Sequence, residues 1–216
     1  MFAAIAALAI GFPSLQDYRP DLNLLIDSLK QNGAYVREDH IDLDVLRAAY
    51  SGKFAQVPDK QQLLSLLETL MSELHDFHAT LGTNNSASPR LVPSGTDIFA
   101  HWEGAHAIVD QVRIGSLAEK SGLTAGDEIL RISDKPTRTE CQSWLGVRKP
   151  DERGWDWALN SALAGRWNTI RTLTVTSHSL KRDLKFATAL DPKYKQVLTV
   201  ASRRVNPLLA AREQPR

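Results

Sequence analysis

Between Leu22 and Leu81 the apolar residues return at helical intervals. Leu22, Leu25, Ile26 and Leu29 define one face of a helix, and Gly33 stands where such a helix would stop. Ile41-Asp42-Leu43-Asp44 opens a second helix that runs through Leu46 and Ala49. Pro58-Asp59 starts a third, with Leu63, Leu66, Leu67, Leu70, Met71 and Leu74 along one side. No strand-like alternation interrupts this stretch. Three short helices can bury their stripes against each other, although a bundle this small is marginal without a neighbour.

The pattern then changes. Residues 82–95 are rich in Asn, Ser, Pro and Gly and read as a linker. Residues 98–102 and 107–112 have the texture of strands joined by a tight turn at Glu103-Gly104. Ser116-Leu117-Ala118-Glu119 has the spacing of a capping box, in which a hydroxyl and a carboxylate satisfy the free N–H groups of a helix start. Gly122 must end that helix early, and Gly126-Asp127 turns the chain into a strand over 128–132. Asp134-Lys135-Pro136 turns it again. A helical pair over 140–147 and 155–164, broken at Lys149-Pro150, precedes two closing strands over 169–177 and 183–189. The predicted class is α+β, a small helical bundle followed by a partly open β-barrel with two or more helices. The predicted domains are an apolar segment 1–21, a helical domain 22–81, the linker 82–95, a strand-rich domain 96–189 and a basic tail 190–216.

Composition narrows the partners. A sequence 43% hydrophobic and 24% charged is that of an ordinary globular protein. The formal net charge of +1 gives no electrostatic reason to expect nucleic acid or acidic lipid. The single cysteine, Cys141, excludes an internal disulfide and a zinc site built on several thiolates. Residues 1–12 are almost wholly apolar, with no Lys or Arg before them. They read equally as the hydrophobic part of a secretory signal or as the start of a first helix, and they are too short to span a bilayer. No other segment reaches membrane length. The tail carries Lys193, Lys195, Arg203, Arg204, Arg212 and Arg216 against Asp191 and Glu213, the balance of a solvated linker.

The most informative run is residues 109–134. Its order of a strand, Gly115-Ser116-Leu117-Ala118, a short helix, Gly122-Leu123, Gly126-Asp127 and an Ile/Leu strand closely resembles the PDZ pattern. Each part has its own physical requirement: a capped helix start, a left-handed stop at Gly122, and a turn into the next strand. Upstream, Tyr35-Val36-Arg37, Ile41-Asp42, the leucine helix and Leu74-His75-Asp76-Phe77-His78-Ala79-Thr80-Leu81 resemble the N-terminal helices of the carboxy-terminal processing peptidases. In that family a Leu-x-Asp-x-His-Thr-like segment often precedes the PDZ domain; here Ala79 separates His78 from Thr80.

The resemblance implies peptide binding by strand addition. It places an anion-binding loop at Ser94-Gly95-Thr96-Asp97 and an edge strand at Ile98, Phe99 and Ala100 through Trp102. The other wall of the groove falls to the helical pair, with Trp144, Leu145, Trp155 or Leu159 facing the ligand. Asp97 sets a negative charge beside the loop, which opposes a carboxylate unless its side chain points away. The expected partners are polypeptide C-termini or extended peptide segments, together with a downstream peptidase domain. No nucleic acid, membrane span, metal or cofactor is expected. A closed or self-associating groove, serving as an interaction scaffold, is the alternative.

The family's Ser-Lys dyad lies in a separate α/β domain after the PDZ. Residues 190–216 are too few to build it, and Ser202 and Lys195 have no nucleophile context. The chain therefore reads as non-catalytic, either the front of a longer peptidase or a relative without its catalytic half. The family implies a cell-envelope, periplasmic or plastid-lumen setting, whereas tricorn-type relatives have other compartments and leave the cytoplasm open. A rival chemistry rests on His75, Asp76 and His78, whose spacing can place two metal ligands on one helical face, with His40 or Glu73 to assist. A structural role for these residues is the favoured reading.

Overall fold

A computed structural model of the chain describes residues 15–33, 36–37, 39–93, 95–167, 170–177 and 180–187. The apolar segment 1–12, Tyr35, Ser94 and the basic tail lie outside the described residues. Contacts divide the chain into two compact units, with the boundary between Leu67 and Glu68.

In the first unit, α1 (Arg19–Asn32) buries Leu22 and Ile26, and Pro20 sits in its first turn, where a missing N–H costs nothing. The second helix, α2 (Leu43–Phe54), begins because the Asp42 carboxylate accepts from the N–H groups of Asp44 and Val45. It buries Leu43, Leu46, Tyr50 and Phe54 and packs on α1. Lys30 and Asp44, 2.7 Å apart, pair across the two helices, but both are exposed and add little beside the apolar seam. The third helix, α3 (Lys60–Ser72), is capped by Asp59, which accepts from the Gln62 N–H at 2.7 Å. It carries the chain across the boundary.

The second unit is a six-stranded antiparallel sheet that does not close into a barrel. Its strands are β1 (Ile98–Glu103), β2 (His106–Val112), β3 (Glu128–Ile132), the two-residue β4 (Lys135–Pro136), β5 (Ile170–Ser177) and β6 (Leu180–Ala187). Their order is β1-β2-β3-β5-β6, with β4 paired to β3. Three helices accompany them: α4 (Leu117–Lys120), α5 (Thr137–Gln142) and α6 (Glu152–Ala164). Ile98, Ala100, Val109, Leu123, Ile129, Leu159, Leu163, Leu173 and Val175 meet in one core.

The capping box forms, with Ser116 Oγ accepting from the Glu119 N–H at 3.0 Å and Glu119 Oε2 accepting from the Gly115 N–H at 2.6 Å. Gly122 and Gly126 both adopt φ near +85°, the left-handed backbone that the turns require. Asp127 then accepts from Thr124 N and from Arg182 of β6, tying the turn to the far edge of the sheet.

The helical pair is displaced from its expected bounds. The first member begins at Thr137, because Thr137 Oγ1 donates to the Ile129 carbonyl at 2.6 Å and fixes the chain directly after β4. It ends at Gln142, so Val147 lies outside it. The second starts earlier, at Glu152, where the Asp151 carboxylate accepts from the Gly154 N–H. From Trp157 to Ala164 every residue of α6 is buried. A helix with no solvent face over that length is enclosed on all sides.

Candidate functional site

The loop before β1 is held from within. The Gly95 N–H donates to the Leu91 carbonyl at 2.6 Å, and a Cβ on Gly95 would stand 2.6 Å from that same oxygen, so only glycine fits the approach. The Thr96 N–H reaches the Pro93 carbonyl, and Thr96 Oγ1 donates to the Ile98 carbonyl at 2.9 Å. Asp97 is buried, with its carboxylate 3.6 Å from Arg113 Nε. Arg113 also donates to the carbonyls of Pro93 and Thr96. Asp97 therefore points away from any ligand in front of the loop. The same contacts engage the Gly95 and Thr96 N–H groups that the sequence reading offered to a terminal carboxylate.

β1 is an edge strand, paired on one side with β2 through a register shift between Phe99 and Ala100. Ile98 and Ala100 are buried and Phe99 is half-buried. On its other side the strand meets α6. Asn160 Oδ1 accepts from the Ala100 N–H at 2.9 Å, while Asn160 Nδ2 donates to the Ala100 carbonyl at 2.7 Å. One turn earlier on the helix, Asp156 Oδ1 accepts from the Trp102 N–H at 2.9 Å. Trp102 Nε1 in turn donates to the Trp155 carbonyl, and the two indoles meet edge to face at 6.4 Å. Arg138 stacks on Trp155 at 3.3 Å. The outward-facing backbone of Ala100, and the N–H of Trp102, thus have partners inside the domain.

The other predicted wall residues separate. Leu159 is fully buried in the core. Trp144 and Leu145 are half-buried against the core after α5. Trp144 lines a different cleft, together with Trp157, Ser161 and parts of segments 76–84 and 89–92, and no residue of β1 borders it. Sequence reasoning missed Asn160 and Asp156. The available signal was a lone Asn inside the run Trp157-Ala158-Leu159-Asn160-Ser161-Ala162-Leu163-Ala164, since a polar group in such a setting must find a partner.

Glu73, His75 and His78 of the rival metal reading each have other partners. Glu73 is fully buried, and its carboxylate accepts from the N–H groups of Val147 at 2.7 Å and Arg148 at 2.9 Å. His75 is buried against Trp157, with ring centroids 5.2 Å apart, and its Nδ1 accepts from Arg148 Nη2 at 2.6 Å. The His78 side chain is mostly exposed, and its backbone N–H donates to Asp76. Among the described residues no group of three His, Cys, Asp or Glu is placed to hold a metal ion. Cys141 is buried and its thiol is pushed up to about 12 by burial, which leaves no thiolate for nucleophilic chemistry.

Burial first, and Arg148 second, pull the His75 pKa down to about 4. The unfolded chain holds this proton below about pH 6.5, whereas the folded chain refuses it until about pH 4. The contribution of His75 is therefore complete above that window and is lost as pH falls through it, by at most about 3 kcal/mol. Urea denaturation at about pH 7.5 and about pH 4.5 should show a steeper loss for the native chain than for His75→Gln.

Fold and site together define a PDZ-like α+β domain whose edge strand β1 is covered by its own helix. No protein-family model and no curated protein matches the chain. Among solved structures, mature CPAF is similar at 17% identity with a TM-score of 0.53, covering 79% of this chain and 34% of that one. CPAF complexed with lactacystin matches at 14% identity and a TM-score of 0.47 over 79% of this chain and 34% of that one. A photosystem II D1 C-terminal processing protease matches at 15% and 0.38 over 80% and 44%. The chain therefore shares its fold with part of CPAF and spans about a third of CPAF's length.

Proposed function

We propose that residues 68–187 form a non-catalytic PDZ-like unit that takes an extended peptide by strand addition along β1, with α6 closing that edge at rest. The reading is carried by the Asn160 amide, which makes to Ala100 the pair of bonds that a peptide backbone would make. An incoming strand recovers both bonds, so the cost of exchange lies in moving α6 rather than in lost hydrogen bonds. Because the Gly95 and Thr96 N–H groups are engaged internally, the edge selects extended backbone rather than a free terminus. In the processing peptidases that the sequence resembles, such a unit presents a substrate to a separate peptidase domain. We extend that role, and the cell-envelope setting, to this chain. A second reading, a permanently closed interaction scaffold, is favoured by the complete burial of α6 from Trp157 to Ala164.

Calorimetric titration with extended peptides bearing free or amidated C-termini separates the two. The native chain should bind weakly, and Asn160→Ala about tenfold more tightly, with both peptide forms alike. Failure of the variant to bind any peptide would favour the closed scaffold. Equal binding by variant and native chain would move the site away from β1.

A further inference from the structure

We propose that the cleft between α6 and the segment 76–92 binds an apolar group that carries a carboxylate. The cleft holds about 210 Å³. Met71, Phe77, Leu91, Trp144 and Trp157 give it mainly apolar walls, and Arg90 lies among them. Since no β1 residue borders the cleft, this inference stands whether or not strand addition occurs.

Arg90 is the feature that points to an anion. The residue is 4% exposed, and its Nε has no hydrogen-bond partner among the described residues. The charged groups that act on it are Asp97, Arg113 and the buried Arg171. Asp97 is 3.6 Å from Arg113, so its carboxylate is shared with a second guanidinium. The Arg90 guanidinium also packs over the Trp167 ring at 5.3 Å, which holds it without neutralising it. Burial lowers its pKa from the ordinary arginine value; Asp97, the next largest influence, opposes this, and Arg113 adds a smaller lowering. A desolvated cation beside a like charge is costly to maintain, and an anion entering the cleft relieves that cost.

Guanidinium favours carboxylate because two parallel N–H donors match its two oxygens. Glu68 and Asp76 also border the cleft, and Asp76 is already committed to the His78 N–H at 2.9 Å. The volume lies below the roughly 300–1,000 Å³ of pockets that hold drug-sized molecules, so the ligand is one ring or one branched aliphatic group with its carboxylate. A small free acid and the apolar last residue of a peptide share that chemistry.

The test is a tryptophan-fluorescence titration of the full chain, because Trp144 and Trp157 line the cleft. The probes are 3-phenylpropionate, 3-phenylpropionamide, and acetyl-Gly-Gly-Phe with a free or an amidated end. Phenylpropionate should bind saturably, with the amide weaker by about tenfold. Arg90→Met should lose the preference for acid over amide. Ala79→Phe, which fills the cleft while leaving Arg90 in place, should abolish binding with the circular dichroism spectrum unchanged. Parallel discrimination by the tripeptides assigns the site to chain termini, whereas binding of phenylpropionate alone assigns it to a small acid. Equal affinity for acid and amide, no binding at about 10 mM, or unchanged acid binding in both variants would overturn the proposal.

Discussion

Gly146→Ala is expected to cost about 3–5 kcal/mol, a large share of the ~5–15 kcal/mol that stabilises an ordinary domain. A Cβ at this position would lie 1.8 Å from Glu73 Oε1. The tip of a free glutamate would swing away cheaply. Glu73 has no such freedom, because it is fully buried and its two oxygens hold the N–H groups of Val147 and Arg148. Moving it breaks both charge-assisted bonds and leaves two interior amides without the carboxylate they donate to. Chemical denaturation of the purified variant measures the effect, and a loss below about 1 kcal/mol would show that the carboxylate has room to retreat.

Asn160→Leu should have the second largest effect, about 3 kcal/mol of lost stability. The substitution roughly conserves volume. It removes three hydrogen bonds, two to Ala100 and one to the Asp156 carbonyl. The Ala100 N–H and C=O then face an apolar side chain, the arrangement in which desolvated peptide groups are most costly. Thermal melts should show a clear drop relative to Asp156→Asn, which keeps a side-chain oxygen able to accept from the Trp102 N–H. Equal melting temperatures for the two variants would mean that Asn160 does not carry the edge.

The legible parts of the fold were those encoded locally. Gly122, Gly126 and the Ser116–Glu119 box act within a few residues of themselves, so their turns and cap could be read directly from order and spacing. The leucine and isoleucine stripes fixed the helices of the first unit in the same way. Tertiary contacts decided what was not legible. Thr137 starts α5 early by bonding to Ile129 across the β3–β4 turn. Asn160 meets Ala100 from 60 positions away, and Glu73 meets Val147 from 74. Spacing carries no trace of such pairs; only the polarity of Asn160 within an apolar helix hinted at one. Asp97 illustrates the converse. Its charge was visible in the sequence, but its inward turn toward Arg113 depends on a residue of the loop after β2.

Amide hydrogen exchange at Ala100 tests the central claim most directly, that the free edge of β1 is occupied from within by α6. An uncovered edge amide exchanges almost as fast as one in an unfolded peptide, whereas a bonded and buried amide exchanges only when the structure opens. The Ala100 and Trp102 amides should be protected nearly as well as that of His101, and Asn160→Ala should release Ala100 selectively. Rapid exchange of Ala100 in the native chain, with His101 still protected, would contradict the account and leave β1 an open strand.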